Sequence, residues 1–171
     1  GPSVKPYQPD GVWDKVGMVE GNTRIYKQDK GEGLYRRSLY SFWKRMAPPA
    51  SLEIFNAPAR EVACLRRERT NTPLQALVTL NDPQFVEAAR IIAGKAMAEA
   101  GGDADKTVDL LARRVLFRDL KATERGIVKA SFDDMAGHYR ANAKDTADLL
   151  AVGETRSDAA LDAPTLAAWT M

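Results

Sequence analysis

The chain has 171 residues, enough for one domain with a sizeable core, and 44% of them are hydrophobic, an ordinary globular proportion. Its 25 Lys and Arg nearly cancel 23 Asp and Glu, and a net charge of +2 is not that of a nucleic-acid binder or a membrane-surface protein. No run of about 18 apolar residues offers a membrane span, and no basic start followed by an apolar stretch reads as a signal peptide.

The charge is unevenly spread: residues 1–80 hold 13 basic and 8 acidic side chains, residues 81–171 hold 12 and 15. A basic first half suits an acidic or phosphorylated partner, but its charges alternate with acids as on any solvated surface. Cys64 and His138 are each the only residue of their type. That excludes a disulfide framework, a CxxC zinc pair and a CxxCH haem attachment, so no metal and no cofactor is expected on this chain. With no His nearby in sequence, Cys64 is expected to be a small buried hydrophobe and not a nucleophile.

From the start of the chain, Pro2, Pro6 and Pro9 favour an extended arm over a helix. Val12, Trp13 and Val16 suit one or two helical turns that pin it down. Gly17, Gly21, Gly31 and Gly33 make 17–33 a turn-rich connection, with a short strand over Arg24 to Gln28. Over 34–46, Tyr35, Leu39, Phe42 and Met46 fall at helical spacing, whereas the density of Tyr, Phe and Trp suits a strand covered on both faces. The reading leans to a strand, hairpinned on 24–28 and ended by Pro48 and Pro49. Ser51 to Ala59 reads as a short turn or helix, and Val62 to Arg69 as a second strand pairing with 36–44.

From Thr70 the pattern turns helical. Thr72-Pro73-Leu74-Gln75 places Thr at the N-cap, Pro at the first helical position and Gln at the third, a capping box. Asn81-Asp82-Pro83 repeats the device, so one helix runs from Pro73 to about Leu80. The next, with Phe85, Ala89, Ile92 and Ala96 on its stripe, stops near Gly101-Gly102. A third is marked by Val108, Leu111, Val115 and Leu116. A fourth carries Val128, Phe132, Met135 and Tyr139, with Thr123 as its N-cap. A shorter one over 143–152 ends at Gly153, and the last starts near Ala163 with Leu166 and Trp169 three apart. A helix that short is marginal alone, so the natural chain is expected to continue past Met171. The fold expected is mainly α: a single domain over 1–171, with a C-terminal helical bundle from 70 and, in the N-terminal third, an extended arm and a small antiparallel β element.

Two clusters are candidate binding residues. Arg66, Arg67 and Arg69, with Asn71, precede a helix N-terminus whose free amides attract anions. The plainer reading is that the arginines pair inside the fold with Glu61, Glu68 or other carboxylates. Arg36, Arg37 and Trp43 lie where aromatic and basic residues interleave, as on sugar or single-strand platforms. The plainer reading there is a core of rings with cationic ends reaching outward. Asp133 and Asp134 are adjacent on a helix and point apart, so they make no acid–base dyad. Asp145 and Asp148 read as a solvated face. No GxSxG, HExxH or kinase signature occurs.

The stretches GPSVKPYQP, LYRRSLYSFWKR, FNAPAREV, RRERTNTPLQALVTLNDPQFVEAAR, LLAVGE and LDAPTLAAWTM resemble, in that order, the planctomycete cytochrome-associated domain of unknown function numbered 1553. The resemblance covers nearly the whole chain, and its RTNTPLQAL segment is specific. It implies a large exported protein, periplasmic or at the cell surface, with a c-type cytochrome domain towards the N-terminus that would carry the haem. Members commonly have Asp where Asn56 stands and Cys where Ala63 stands, so neither position is a required catalytic group if the domain works here. The family's last helix continues beyond AAWTM. The family has no established activity, so no functional residue carries over. The function expected is therefore a non-catalytic interaction or structural module whose partners are neighbouring domains of the same polypeptide. The alternative is a domain that binds or modifies polysaccharide, suggested by 35–45 and 66–69.

Overall fold

A computed structural model describes residues 1–14, 16, 21 and 24–171. The chain is mainly helical, and contacts divide it into two compact units, Gly1–Asp82 and Pro83–Met171.

In the first unit the proline-rich arm is extended, as expected, and is tied down by backbone bonds. The Val4 amide donates to the Tyr40 carbonyl at 2.8 Å and the Phe42 amide donates to the Val4 carbonyl at 2.7 Å. Lys5 continues the tie, its amide donating to the Asp29 carboxylate at 2.7 Å. Two successive turns, closed by the amides of Asp14 and Val16, bring Trp13 into the interior. Its ring meets Tyr26 edge-on at 4.8 Å and Phe42 at 5.5 Å. The Tyr26 hydroxyl donates to the Pro6 carbonyl. Burial, with Asp29 nearby, pushes that hydroxyl far above its usual pKa.

The expected antiparallel β element is absent among the described residues. Residues 24–28 and 62–69 are irregular, 3-10 turns over Gly31–Tyr35 and Ser38–Tyr40 take up the start of 34–46, and the only pairings among the described residues are isolated bridges, Val4 with Ser41 in parallel and Lys44 with Ala47 in antiparallel sense. The reason is the partner. An arm with prolines at 2, 6 and 9 lacks the amides to continue a ladder, so pairing stops at one bridge. Of the expected turn-rich connection over 17–33, residues 17–20, 22 and 23 lie outside the described residues.

Helix α1 (Ala50–Ile54) follows the Pro48-Pro49 break, and α2 (Pro73–Asn81) starts at the expected cap. The Thr72 hydroxyl accepts the Gln75 amide at 3.3 Å while Gln75 Oε1 accepts the Thr72 amide at 3.2 Å, which completes the capping box.

The second unit comprises α3 (Pro83–Ala100), α4 (Ala104–Leu116), α5 (Ala122–Ala141), α6 (Ala143–Leu150) and α7 (Ala163–Thr170). Helix α7 packs against α3, α5 and α6. Its Ala167 and Ala168 join Ala136 and Tyr139 of α5 in a core edged by Phe132, Leu149 and Leu150, and Trp169 stacks on Phe132 with centroids 4.0 Å apart. Small residues let the helices approach closely: a Cβ at Gly94 would lie 3.3 Å from a Leu161 methyl and 3.7 Å from one of Leu166.

Several expected faces are displaced. On α3 the buried face is Val86, Glu87, Arg90, Ala93, Ala96 and Ala100, leaving Phe85, Ala89 and Ile92 on its flanks. On α4, Thr107, Val108 and Ala112 are buried while Val115 and Leu116 are exposed. Helix α5 is capped at Lys121, not Thr123. The Lys121 amide donates to Glu124 at 2.8 Å, and the carboxylate is held in turn by Arg118, so the charge at the third helical position settles the start.

Candidate functional site

The RTNTP segment meets the end of α1. That helix closes with Asn56 in the left-handed region, its amide donating to Glu53 and the Ala57 amide donating to Leu52, a Schellman arrangement in which Asn replaces the usual Gly. Three carbonyls beyond the last turn still need donors. Arg67 supplies two: Nη2 to the Phe55 carbonyl at 2.6 Å and Nε to that of Asn56 at 3.3 Å. The Gln75 amide supplies the third, to the Ile54 carbonyl at 3.0 Å, and also donates to the Thr70 hydroxyl at 2.7 Å. A cation at a helix C-terminus is placed where the helix dipole favours it.

The other expected residues are not drawn together with Arg67. Arg66, Arg69 and Asn71 are exposed. Glu61, expected as a partner for this cluster, pairs with Arg45 at 2.5 Å instead. Cys64, expected to be buried, is exposed, with Sγ 3.4 Å from the Arg66 carbonyl. The correction has a simple cause: residues 59–72 run over the surface without a regular element, so no position among them is enclosed.

The ring cluster is used within its own unit. Arg36 lies 3.8 Å over the Tyr40 ring and donates to the Pro2 carbonyl at 2.5 Å. Arg60 lies 4.7 Å over Trp43, and Lys44 lies 4.1 Å over Trp13. These are cation–π contacts, each satisfying both partners locally. Arg37 is exposed. Among the carboxylates, Asp145 meets His138 Nε2 at 3.0 Å and Asp148 pairs with Lys144 at 2.5 Å, each an exposed contact and not a dyad. Among the described residues no group of three His, Cys, Asp or Glu is placed to hold a metal, and no helix is long and apolar enough to cross a membrane.

Apolar exposure marks the same region. Leu74, Leu77 and Leu80 of α2 are 60%, 55% and 47% exposed, and they follow one another at three-residue steps along a single row of the helix. Val62 and Leu65, on the surface segment before α2, are exposed as well. Sequence reasoning fixed where this helix starts and ends but assigned no face to its leucines, and so missed this row. It also missed Gln75 as a tertiary anchor, because a capping box accounts for a Gln at that position by itself.

A family model described as "Protein of unknown function (DUF1553)" matches residues 1–132. No curated protein and no solved structure matches the chain.

Proposed function

The chain belongs to the DUF1553 family, which brings no assigned activity with it, and we propose that it is a non-catalytic docking module inside a larger exported protein that carries a c-type cytochrome elsewhere. The export and the haem-bearing neighbour rest on the resemblance drawn from the sequence. The observation that carries the docking role is the α2 row of Leu74, Leu77 and Leu80. Single exposed leucines are ordinary on protein surfaces, but three on successive turns of a nine-residue helix form a patch, the usual mark of an interaction site. The anchoring by Arg67, Thr72 and Gln75 fixes the helix that bears the row, so the patch is presented on a preorganised support. A neighbouring domain of the same polypeptide is the partner this reading assigns to it.

Hydrogen exchange tests the reading. Amides of α2 and of residues 59–72 should exchange more slowly in the full-length protein than in the 171-residue chain, and Leu77→Asp in the full-length protein should return them to the faster rate. Equal exchange in the two proteins would overturn it. The polysaccharide alternative has less behind it, since Tyr40 and Trp43, two of the rings it needs, lie under Arg36 and Arg60.

A further inference from the structure

Helix α2 has nine residues, PLQALVTLN, and none of them is charged. Only Gln75 is buried and Val78 half-buried, while the other seven positions are exposed. At 3.6 residues per turn Leu77 stands about 200° round the axis from Gln75, so the leucine row faces away from the anchor. A helix this short gains little from its own propensity and depends on what packs against it. The segment leading into it is basic, with three guanidiniums and one carboxylate over residues 66–69. Arg67 grips the carbonyls of Phe55 and Asn56, beside the Ile54 carbonyl that Gln75 takes, and Gln75 also bonds Thr70, so residues 67–70 are held next to the first turn of α2. Arg66 and Arg69 are exposed and, among the described residues, pair with no carboxylate, since Glu61 is taken by Arg45. The positive end of the α2 dipole adds to theirs.

We propose that the α2 row seats an acidic amphipathic helix of a neighbouring domain, its apolar stripe on Leu74, Leu77 and Leu80 and its carboxylates on Arg66 and Arg69. This names the partner of the docking site described above and rests on that reading. The occupant is a helix because a row at three-residue steps is a ridge that fits the groove of another helix. A strand would gain nothing there, since the side of a helix has no unpaired backbone to pair with it. Charge sets the sign of the partner. Covering an apolar row that is bordered by two unpaired guanidiniums is costly unless carboxylates arrive with the cover. A basic helix would be repelled, and the α2 of a second copy would bring no carboxylate, because Pro73–Asn81 has none. Ion pairs at the border then fix the orientation of the helix, while the leucines hold it.

The test places a photo-activated benzophenone side chain at Leu77 of the full-length protein, locates the cross-linked peptide by mass spectrometry and follows hydrogen exchange of α2 in parallel. The link should fall within the same polypeptide, on a helix-forming stretch with Asp or Glu three or four residues from its apolar positions. Arg66→Glu combined with Arg69→Glu should speed exchange of the α2 amides in the full-length protein by about tenfold, and high salt should act in the same direction. Replacing the acidic residues nearest the link by Arg should restore protection to that double variant. In the 171-residue chain the double variant should unfold at the parent's midpoint, which separates lost docking from lost folding. If α2 exchanges alike in the full-length protein and the 171-residue chain, the docking reading fails and the acidic helix with it. If α2 is protected but the double reversal leaves its exchange unchanged, the compensating reversal restores nothing, or the link falls on a basic or strand-forming segment or on a second copy, docking stands and the acidic helix is overturned.

Discussion

At the end of α1 three carbonyls leave a helix only five residues long, and Arg67 with Gln75 answers all of them. A planar fork reaching two carbonyls cannot be copied by an ammonium on a flexible stem. Arg67→Lys should therefore lower the unfolding free energy by about 1 kcal/mol, the scale of a hydrogen bond lost at a partly solvated site. Arg66→Lys and Arg69→Lys should stay within about 0.5 kcal/mol of the parent, as surface substitutions do. Urea denaturation of the three single variants checks this, and equal losses in all three would contradict the assignment. Phe117 is a second residue-scale case. It caps α4 at φ 56 in the left-handed region and is 88% exposed. The position asks for glycine, and the ring gains little burial in return. Phe117→Gly should raise the unfolding free energy by about 0.5–1 kcal/mol, the strain relieved outweighing the entropy that glycine adds to the unfolded chain. A drop in stability would show that the ring is packed against something in solution.

At the scale of elements, starts and stops were readable where a cap writes them locally. Thr72-Pro73-Leu74-Gln75 is sufficient in itself, and α2 begins where it says. Thr72→Ala removes one bond of the box and should cost about 0.5–2 kcal/mol in a denaturant titration. Strands were not readable in the same way, because a strand is half of a pair. The aromatic density of 34–46 was real, but Arg36 and Arg60 lie over Tyr40 and Trp43, and the proline arm supplies a single bridge in place of a ladder. Charge placement carries a pH consequence at α5. Hydrogen bonds from Arg118, then from the Lys121 amide, lower the Glu124 carboxyl from 4.5 to about 2. The folded value lies below the unfolded one, so the contribution is present in full above the unfolded pKa and is lost as pH falls through the folded value. Glu124→Gln should remove that contribution at neutral pH, so that stability falls less steeply over the acid range and variant and parent converge below it. The effect should shrink in high salt, because the pair is exposed.

At the scale of the whole chain, the helical order was legible from spacing and caps, while the positions holding charged groups inside were not. Glu87 and Arg90 read as ordinary polar positions of an amphipathic helix, and only the return of the chain at 150–155 gives them partners more than 60 residues away. The second unit is assembled around α7, the shortest of its helices together with α6, which touches α3, α5 and α6. Its interior is rich in alanine at 93, 96, 136, 167 and 168, so close backbone approach supplies much of the packing and few side chains fill volume. Leu166 is one of those few, 2% exposed and within reach of Gly94 on α3. Removing its isobutyl group leaves a hole that alanines already at contact cannot close by moving inward. Leu166→Ala should then cost about 2–5 kcal/mol, a large part of the roughly 5–15 kcal/mol that holds a typical domain together. Leu166→Met, which keeps the volume, should cost less than about 1.5 kcal/mol. Val115→Ala, on an exposed position of α4, should be close to neutral. Urea unfolding of the three variants followed by circular dichroism gives the comparison. A loss at Leu166→Ala no greater than at Val115→Ala would mean that α7 is not what the second unit is built around.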